Sequence, residues 1–258
     1  MTDSPSFAPS KLINIASGKG GVGKTWLAIT LSHALSRAGQ NVLLFDGDLG
    51  LANIDIQLGL LPETDLGSVI AGAGNLSDAV TTYQDDSNST VTFDVIAGKS
   101  GSGALASLRR PHLQQLRSDL KTLSRSYDVT FLDLGAGIEN HVTTLAGHDG
   151  LTVVVVTPDP TSLTDAYAFI KVHTTRNPDA KVAIAINMAE DRHEGKRTYE
   201  TLRKVCENFL KLSPPLAGII RRDRHVTAAI REQYPLLARY PQCQAAEDVL
   251  KLSHKLLS

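Results

Sequence analysis

The sequence predicts an α/β fold, a doubly wound and mostly parallel sheet flanked by helices, and three observations carry that prediction. Short β-branched apolar runs alternate with helical periodicity along the chain. A glycine-rich turn links the first of these runs to the first helical segment. Two later runs end in aspartate, at the carboxyl edge where open parallel sheets place their chemistry.

"KLINIAS" (11–17) is apolar and runs into glycines, which makes it the first strand. Leu27, Leu31, Ala34, Leu35 and Ala38 then recur at helical spacing over 25–38, and Gly39 stops that helix. Further strands are predicted at 41–48, 91–98, 128–137, 151–157, 181–187 and 216–220, nearly continuous in apolarity like strands covered on both faces. Helices are predicted at about 105–125, 162–175, 196–211 and 226–233. The polar stretch "YQDDSNST" (83–90) reads as a surface loop. Residues 1–10 read as a disordered leader, without the charged start and apolar run of a secretory signal. No Pro-, Gly- or Ser-rich linker divides 11–258, which reads as a single domain.

A formal net charge of −1 argues against a dedicated nucleic-acid binder, which would carry a basic excess. The longest apolar run, "LTVVVVTP", is far shorter than the roughly 20 residues that span a bilayer. Cys206 and Cys243 show no CxxC spacing, so neither a disulfide framework nor a zinc site is expected, and a cytoplasmic location is the simplest reading.

Gly18 to Thr25 satisfies G-x-x-x-x-G-K-[ST] where that motif belongs, after a strand and opening a helix. Main-chain N–H groups of Gly18, Lys19, Gly20, Gly21, Val22 and Gly23 can converge on phosphate oxygens, helped by the positive end of the helix. Lys24 can reach the β and γ phosphates of ATP, and the Thr25 hydroxyl can ligate Mg²⁺. Trp26, where the helix begins, is expected to pack near the loop. Asp133, ending "FLD", can hold Mg²⁺ through water, and the N–H of Gly137 could sense the γ-phosphate. In "FDGDLG" Asp48 is the candidate for orienting the attacking water and Asp46 for supporting the metal shell, although either could merely cap a turn.

Lys19 is the anomaly. A second ammonium in the loop repels Lys24 by about 1–3 kcal/mol at roughly 6–8 Å, unless further negative charge arrives. A triphosphate brings that charge, and Lys19 of one subunit could reach the phosphates of another as an arginine finger does. Dimerisation would then depend on ATP, and hydrolysis would undo it. The plain alternative is a solvated lysine on the loop shoulder.

"KGGVGKT" resembles the deviant Walker A motif of the MinD/ParA family of dimerising ATPases, whose signature residue is the first lysine. "DGDLGLANIDIQLGL", "DLGAGI" and "TPDPTSLTDAYAFIK" resemble the FlhG-type branch of flagellar number regulators. The resemblance implies a MinD-like P-loop fold, slow ATP hydrolysis with Mg²⁺, and an ATP-dependent homodimer. It also implies partners: an FlhF-like GTPase, a flagellar transcription regulator and flagellar switch proteins, with recruitment to a cell pole or the inner membrane face. Under it Lys19 acts in trans, Asp48 positions water, Asp133 is the Walker B acid, and Asn187 reads the adenine edge. Arg222 and Asp223 are weaker nucleotide contacts.

The chain also departs from the family. The leader lacks the "DQA" segment through which such relatives stimulate the GTPase, and Arg221 stands where the family has proline, which could recharge the adenine-side wall. The C-terminal stretch 244–258 carries Ala246, Val249, Leu250, Ser253 and Leu257 on one stripe, without Trp or Phe, so it is a poor membrane anchor and is expected to pack on the domain. Cys206 reads as a buried hydrophobe beside Val205 and Phe209, and His33 as a surface or partly packed histidine. Three rivals to a flagellar switch are a DNA-binding partitioning ATPase, a metal-cluster carrier and a metabolic ligase. The first lacks the basic excess, the second poised cysteines, and the third room for an acceptor pocket.

Overall fold

In the computed structural model, residues 12–48, 50–72, 74–98, 108, 110–147 and 150–257 are described. The leader and the start of the helix predicted at 105–125 fall outside them. In chain order the elements are β1 (Leu12–Ser17), α1 (Lys24–Arg37), β2 (Val42–Gly47), α2 (Ile54–Leu58), α3 (Leu66–Ile70), β3 (Val80–Asp85), β4 (Asn88–Ile96), α4 (Arg110–Leu123), β5 (Val129–Ala136) and α5 (Asn140–Leu145). They continue with β6 (Leu151–Val156), α6 (Pro160–Arg176), β7 (Lys181–Ala189), α7 (Arg192–Leu210), β8 (Leu216–Arg221), α8 (Arg224–Glu232), α9 (Leu236–Arg239) and α10 (Gln244–Leu257).

All eight strands join one sheet, ordered β3-β4-β2-β5-β1-β6-β7-β8, with every neighbouring pair parallel except β3–β4. Side chains alternate between its faces. Ile13, Ile15, Val42, Leu44, Val153 and Val155 pack with α1 and α10 on one side. Leu43, Phe45, Leu132, Leu134, Val154 and Val156 pack with α4, α6 and α7 on the other. Both faces are therefore apolar, which is why the strands read as continuous runs.

The structure corrects four of the expectations. The stretch 83–90 is no loop but most of a hairpin, with Tyr83 opposite Phe93 and the tight turn at residues 86–87. Its polar residues are exposed apart from Asp85, which lies with Tyr83 and Phe93 on the buried face. His33 is fully buried, its Nε2 2.8 Å from Asp85, a contact that ties α1 to the hairpin. Phe209 is exposed, whereas Cys206 is buried. The C-terminal stripe is rotated from the predicted one: Ala245, Ala246, Val249, Leu252, Ser253 and Leu256 face the core. With that apolar face occupied by β8 and α1, α10 has none to offer a lipid surface.

Arg221 is part of the reason α10 docks where it does. Its Nε lies 2.7 Å from the buried Asp248 carboxylate, and its guanidinium also reaches Gln244 at 2.6 Å. Arg192 bonds the same carboxylate. Arg221 thus points at the last helix and locks it to the sheet edge, rather than recharging an adenine wall. Replacing Asp248 by alanine leaves these cations without their shared partner. A loss of about 2–3 kcal/mol in urea unfolding is expected.

Behind β1 and β6 lies a second buried polar group. Asn14 donates to Thr152 Oγ1 at 2.9 Å, and Thr152 meets His173 Nε2 at 3.3 Å. Burial pushes the His173 imidazole down to about 4, from an ordinary value near 6.5. The unfolded chain therefore takes up this proton first as pH falls, and stability is lost from pH 6.5 downward until the folded state also protonates near 4. Between pH 8 and pH 5 the loss is about 2 kcal/mol. In urea titrations at the two pH values the change in stability should be about 2 kcal/mol less favourable in the parent than in His173→Gln, the other titrating groups being common to both; equal changes would remove the assignment.

Candidate functional site

The loop after β1 turns on its glycines. Gly23 adopts φ 89°, and a Cβ there would lie 2.5 Å from Asn187 Nδ2. A Cβ on Gly18 would sit 2.0 Å from the Asp165 carbonyl oxygen, so only glycine lets α6 pass so close. Asn187, at the end of β7, donates its amide to the Val22 carbonyl at 2.8 Å. That bond props the loop from beneath, and the carboxamide expected to read adenine is used, on its N–H side, to hold backbone. The Trp26 indole is buried in the core, leaving its main-chain N–H in the first turn of α1 as what it offers a phosphate.

Lys24 and Thr25 open α1 beside Asp133. The register between β2 and β5 sets Asp46 directly beside Asp133. Thr25 donates to Asp133 Oδ2 at 2.5 Å, while Oδ1 is buried and has no hydrogen-bond partner. Burial raises the Asp133 carboxyl to about 7, against the pull of the Thr25 hydroxyl and the Lys24 charge. Burial likewise draws Lys24 below its ordinary value, with Asp133 and Asp48 opposing. An orphaned carboxylate oxygen next to a hydroxyl fits a hard divalent cation such as Mg²⁺.

Asp46 and Asp48 organise the loop that follows β2. Asp46, pushed well up by burial first and by Asp133 second, accepts N–H bonds from Asp48 at 3.1 Å, Asn53 at 3.0 Å and Ile54 at 3.2 Å. Asp48 Oδ1 accepts from Leu51 at 3.0 Å and lies against Gly135. Both residues cap a turn, and Asp46 is wholly committed to main chain. Gly137 donates its N–H to the Ser17 carbonyl at 2.9 Å, bridging β5 to the start of the phosphate loop.

Lys19 stands apart at the rim. Its ammonium lies 2.6 Å from Asp159 Oδ2 and bonds the Thr161 hydroxyl, with 38% of the side chain exposed. Asp159 is also the N-cap of α6, accepting from the Thr161 N–H at 3.1 Å. Together they border a cleft of about 370 Å³ that also takes in Gly20, Gly21, Val22, Met188, Glu190, Glu194 and Arg222. Sequence reasoning missed Asp159, Thr161, Met188 and the two glutamates. The Asp-Pro pair that starts α6 was the available sign for Asp159, and Met188, at φ 58°, carried none. Asp223 turns away, its carboxylate accepting from the His225 N–H at 3.0 Å and from the Ala245 N–H at 3.3 Å.

The chain is 32% identical over 95% of its length to the antiactivator FleN of Pseudomonas aeruginosa, covering 86% of that protein. It is 33% identical over 96% of its length to the flagellum site-determining protein YlxH of Helicobacter pylori, covering 82% of it. The Mg-ADP complex of the septum site-determining protein MinD from Pyrococcus horikoshii superposes with a TM-score of 0.78 at 23% identity, over 95% of both chains. Residues 13–236 match the CobQ/CobB/MinD/ParA nucleotide binding domain, and with the phosphate loop, Asp133 and the sheet order in place the chain belongs to that family.

Proposed function

We propose that this protein is an ATP-hydrolysing switch that dimerises on ATP and regulates flagellar number or placement through partner proteins. The observation that carries the reading is Lys19, a half-exposed ammonium at the mouth of a phosphate loop that already has its own lysine. Held by Asp159 and Thr161, it is where a second subunit's triphosphate would meet it. The similarity to FleN and YlxH supports the flagellar role, and the antiactivator name of the first supports a transcription regulator among the partners, beside an FlhF-like GTPase and switch proteins. The likeness to MinD, at 23% identity, concerns the fold and lends less to a division-site role.

In this reading Lys24 and the loop N–H groups hold the β and γ phosphates, and Lys19 of the partner subunit neutralises charge that develops in transfer. Mg²⁺, held by Thr25 and through water by Asp133, would neutralise phosphate charge. Asp48 orients the attacking water from the loop that Asp46 holds in place. Trp26 contributes a main-chain N–H, while Asn187 and Arg222 frame the nucleotide's other end. The protein works in the cytoplasm and is recruited to the pole or inner membrane face through partners. No helix among the described residues is long and apolar enough to cross a membrane.

Lys19→Ala and Lys24→Ala should each abolish ATP-dependent dimerisation in size-exclusion chromatography. Asp48→Ala should dimerise normally and lose most of its turnover; hydrolysis at the parental rate would strip Asp48 of its role. Asp159→Asn keeps the α6 cap while weakening the hold on Lys19. Its dimer should form at an ATP concentration lower by roughly two- to fivefold, the scale of an exposed ion pair, and an unchanged midpoint would mean that the Lys19–Asp159 contact does not restrain the switch.

A further inference from the structure

The turn between β8 and α8 and the start of α10 bring together three side chains that nothing in the nucleotide site uses. A carboxylate oxygen of Asp223, an imidazole nitrogen of His225 and Sγ of Cys243 lie within 4.8 Å of one another, all partly buried. His225 Nδ1 is 2.7 Å from Asp223 Oδ1, and the Cys243 thiol bonds the same carboxylate. The three donors thus point at a common centre and are held together by protons. The His225 ring packs against Tyr240 at a tilt of 39°, with centroids 4.8 Å apart, which restrains the imidazole.

We propose that Asp223, His225 and Cys243 form a binding site for a divalent transition ion of the zinc class, with a fourth position left to water. Carboxylate, imidazole and thiolate are the donors such ions take, and a thiolate disfavours Mg²⁺ and Ca²⁺. With bonds of about 2.0–2.3 Å, tetrahedral ligands stand roughly 3.3–3.7 Å apart. The His–Asp contact of 2.7 Å opens slightly to reach this spacing, and the other donor separations already lie within 4.8 Å. A capping role accounts for Asp223 alone, which accepts the first N–H groups of α8 and α10. It gives the imidazole and the thiol no reason to converge there. The two N–H bonds instead orient the carboxylate as outer-shell partners do. An ion here would tie the start of α10 to the turn that carries Arg222, and so stiffen one wall of the nucleotide cleft.

Titration of the full chain with Co²⁺ in excess Mg²⁺ tests the site directly. A thiolate-to-cobalt charge-transfer band should grow to one equivalent and be abolished by Zn²⁺. His225→Ala should weaken binding at least about tenfold, and Cys243→Ser should lose the band. Zn²⁺ should raise the melting temperature of the parent and leave that of His225→Ala unmoved, which keeps the test decisive if the serine variant folds poorly. Absence of the band in the parent, or its persistence in Cys243→Ser, would overturn the proposal. Neither outcome touches ATP-dependent dimerisation, so this site and the proposed switch stand or fall separately.

Discussion

A buried carboxylate short of partners is the constraint on which the rest of this molecule turns. Asp133 is enclosed at the carboxyl end of a central strand, where one oxygen has only the Thr25 hydroxyl and the other has nothing. Burying such a charge is costly unless a cation meets it. The sheet order places the phosphate loop and Lys24 on one flank and Asp46 on the other. A cation and phosphates would offset the electrostatic cost that the fold sets up.

The same economy of charge explains the two lysines. Lys24 is buried and answers to Asp133 and Asp48 of its own chain. Lys19 sits at the rim and answers to Asp159, whose own carboxyl the ammonium draws below the usual carboxylate range. One lysine is fixed by burial; the other is held by an exposed contact that salt screens and a better anion can replace. A residue meant to change partners has to be held this lightly. The loop after β2 and the turn after β5 lie beside this centre, where their main-chain bonds to Asp46, Asp48 and Ser17 can answer to what occupies it.

Much of the fold was legible because a doubly covered parallel sheet writes itself as short apolar runs, and the helices between them repeat at their own period. The second strand of the hairpin was legible at 91–98, but β3 was hidden because an edge strand exposes one face, so Asp86, Ser87 and Asn88 suggested a loop while Tyr83 gave the buried side little signal. His33 looked like a surface residue because its partner, Asp85, lies 52 positions away. The phosphate loop was readable residue by residue, since its chemistry depends on spacing within a single turn. The roles of Arg221 and Asp223 were not: Arg221 points at Asp248 and Gln244 on α10, and Asp223 divides its bonds between His225 of α8 and Ala245 of α10.

By itself, then, the sequence determined the periodicities, the phosphate loop and the aspartates that end β2 and β5, because each is a local pattern on a continuous chain. Tertiary structure decided which acid keeps an oxygen without a hydrogen-bond partner and which hold backbone, where Lys19 rests, and that Cys243 comes beside His225. Those outcomes depend on register and helix docking, which bring together groups far apart in the chain and bury some charges while leaving others in water.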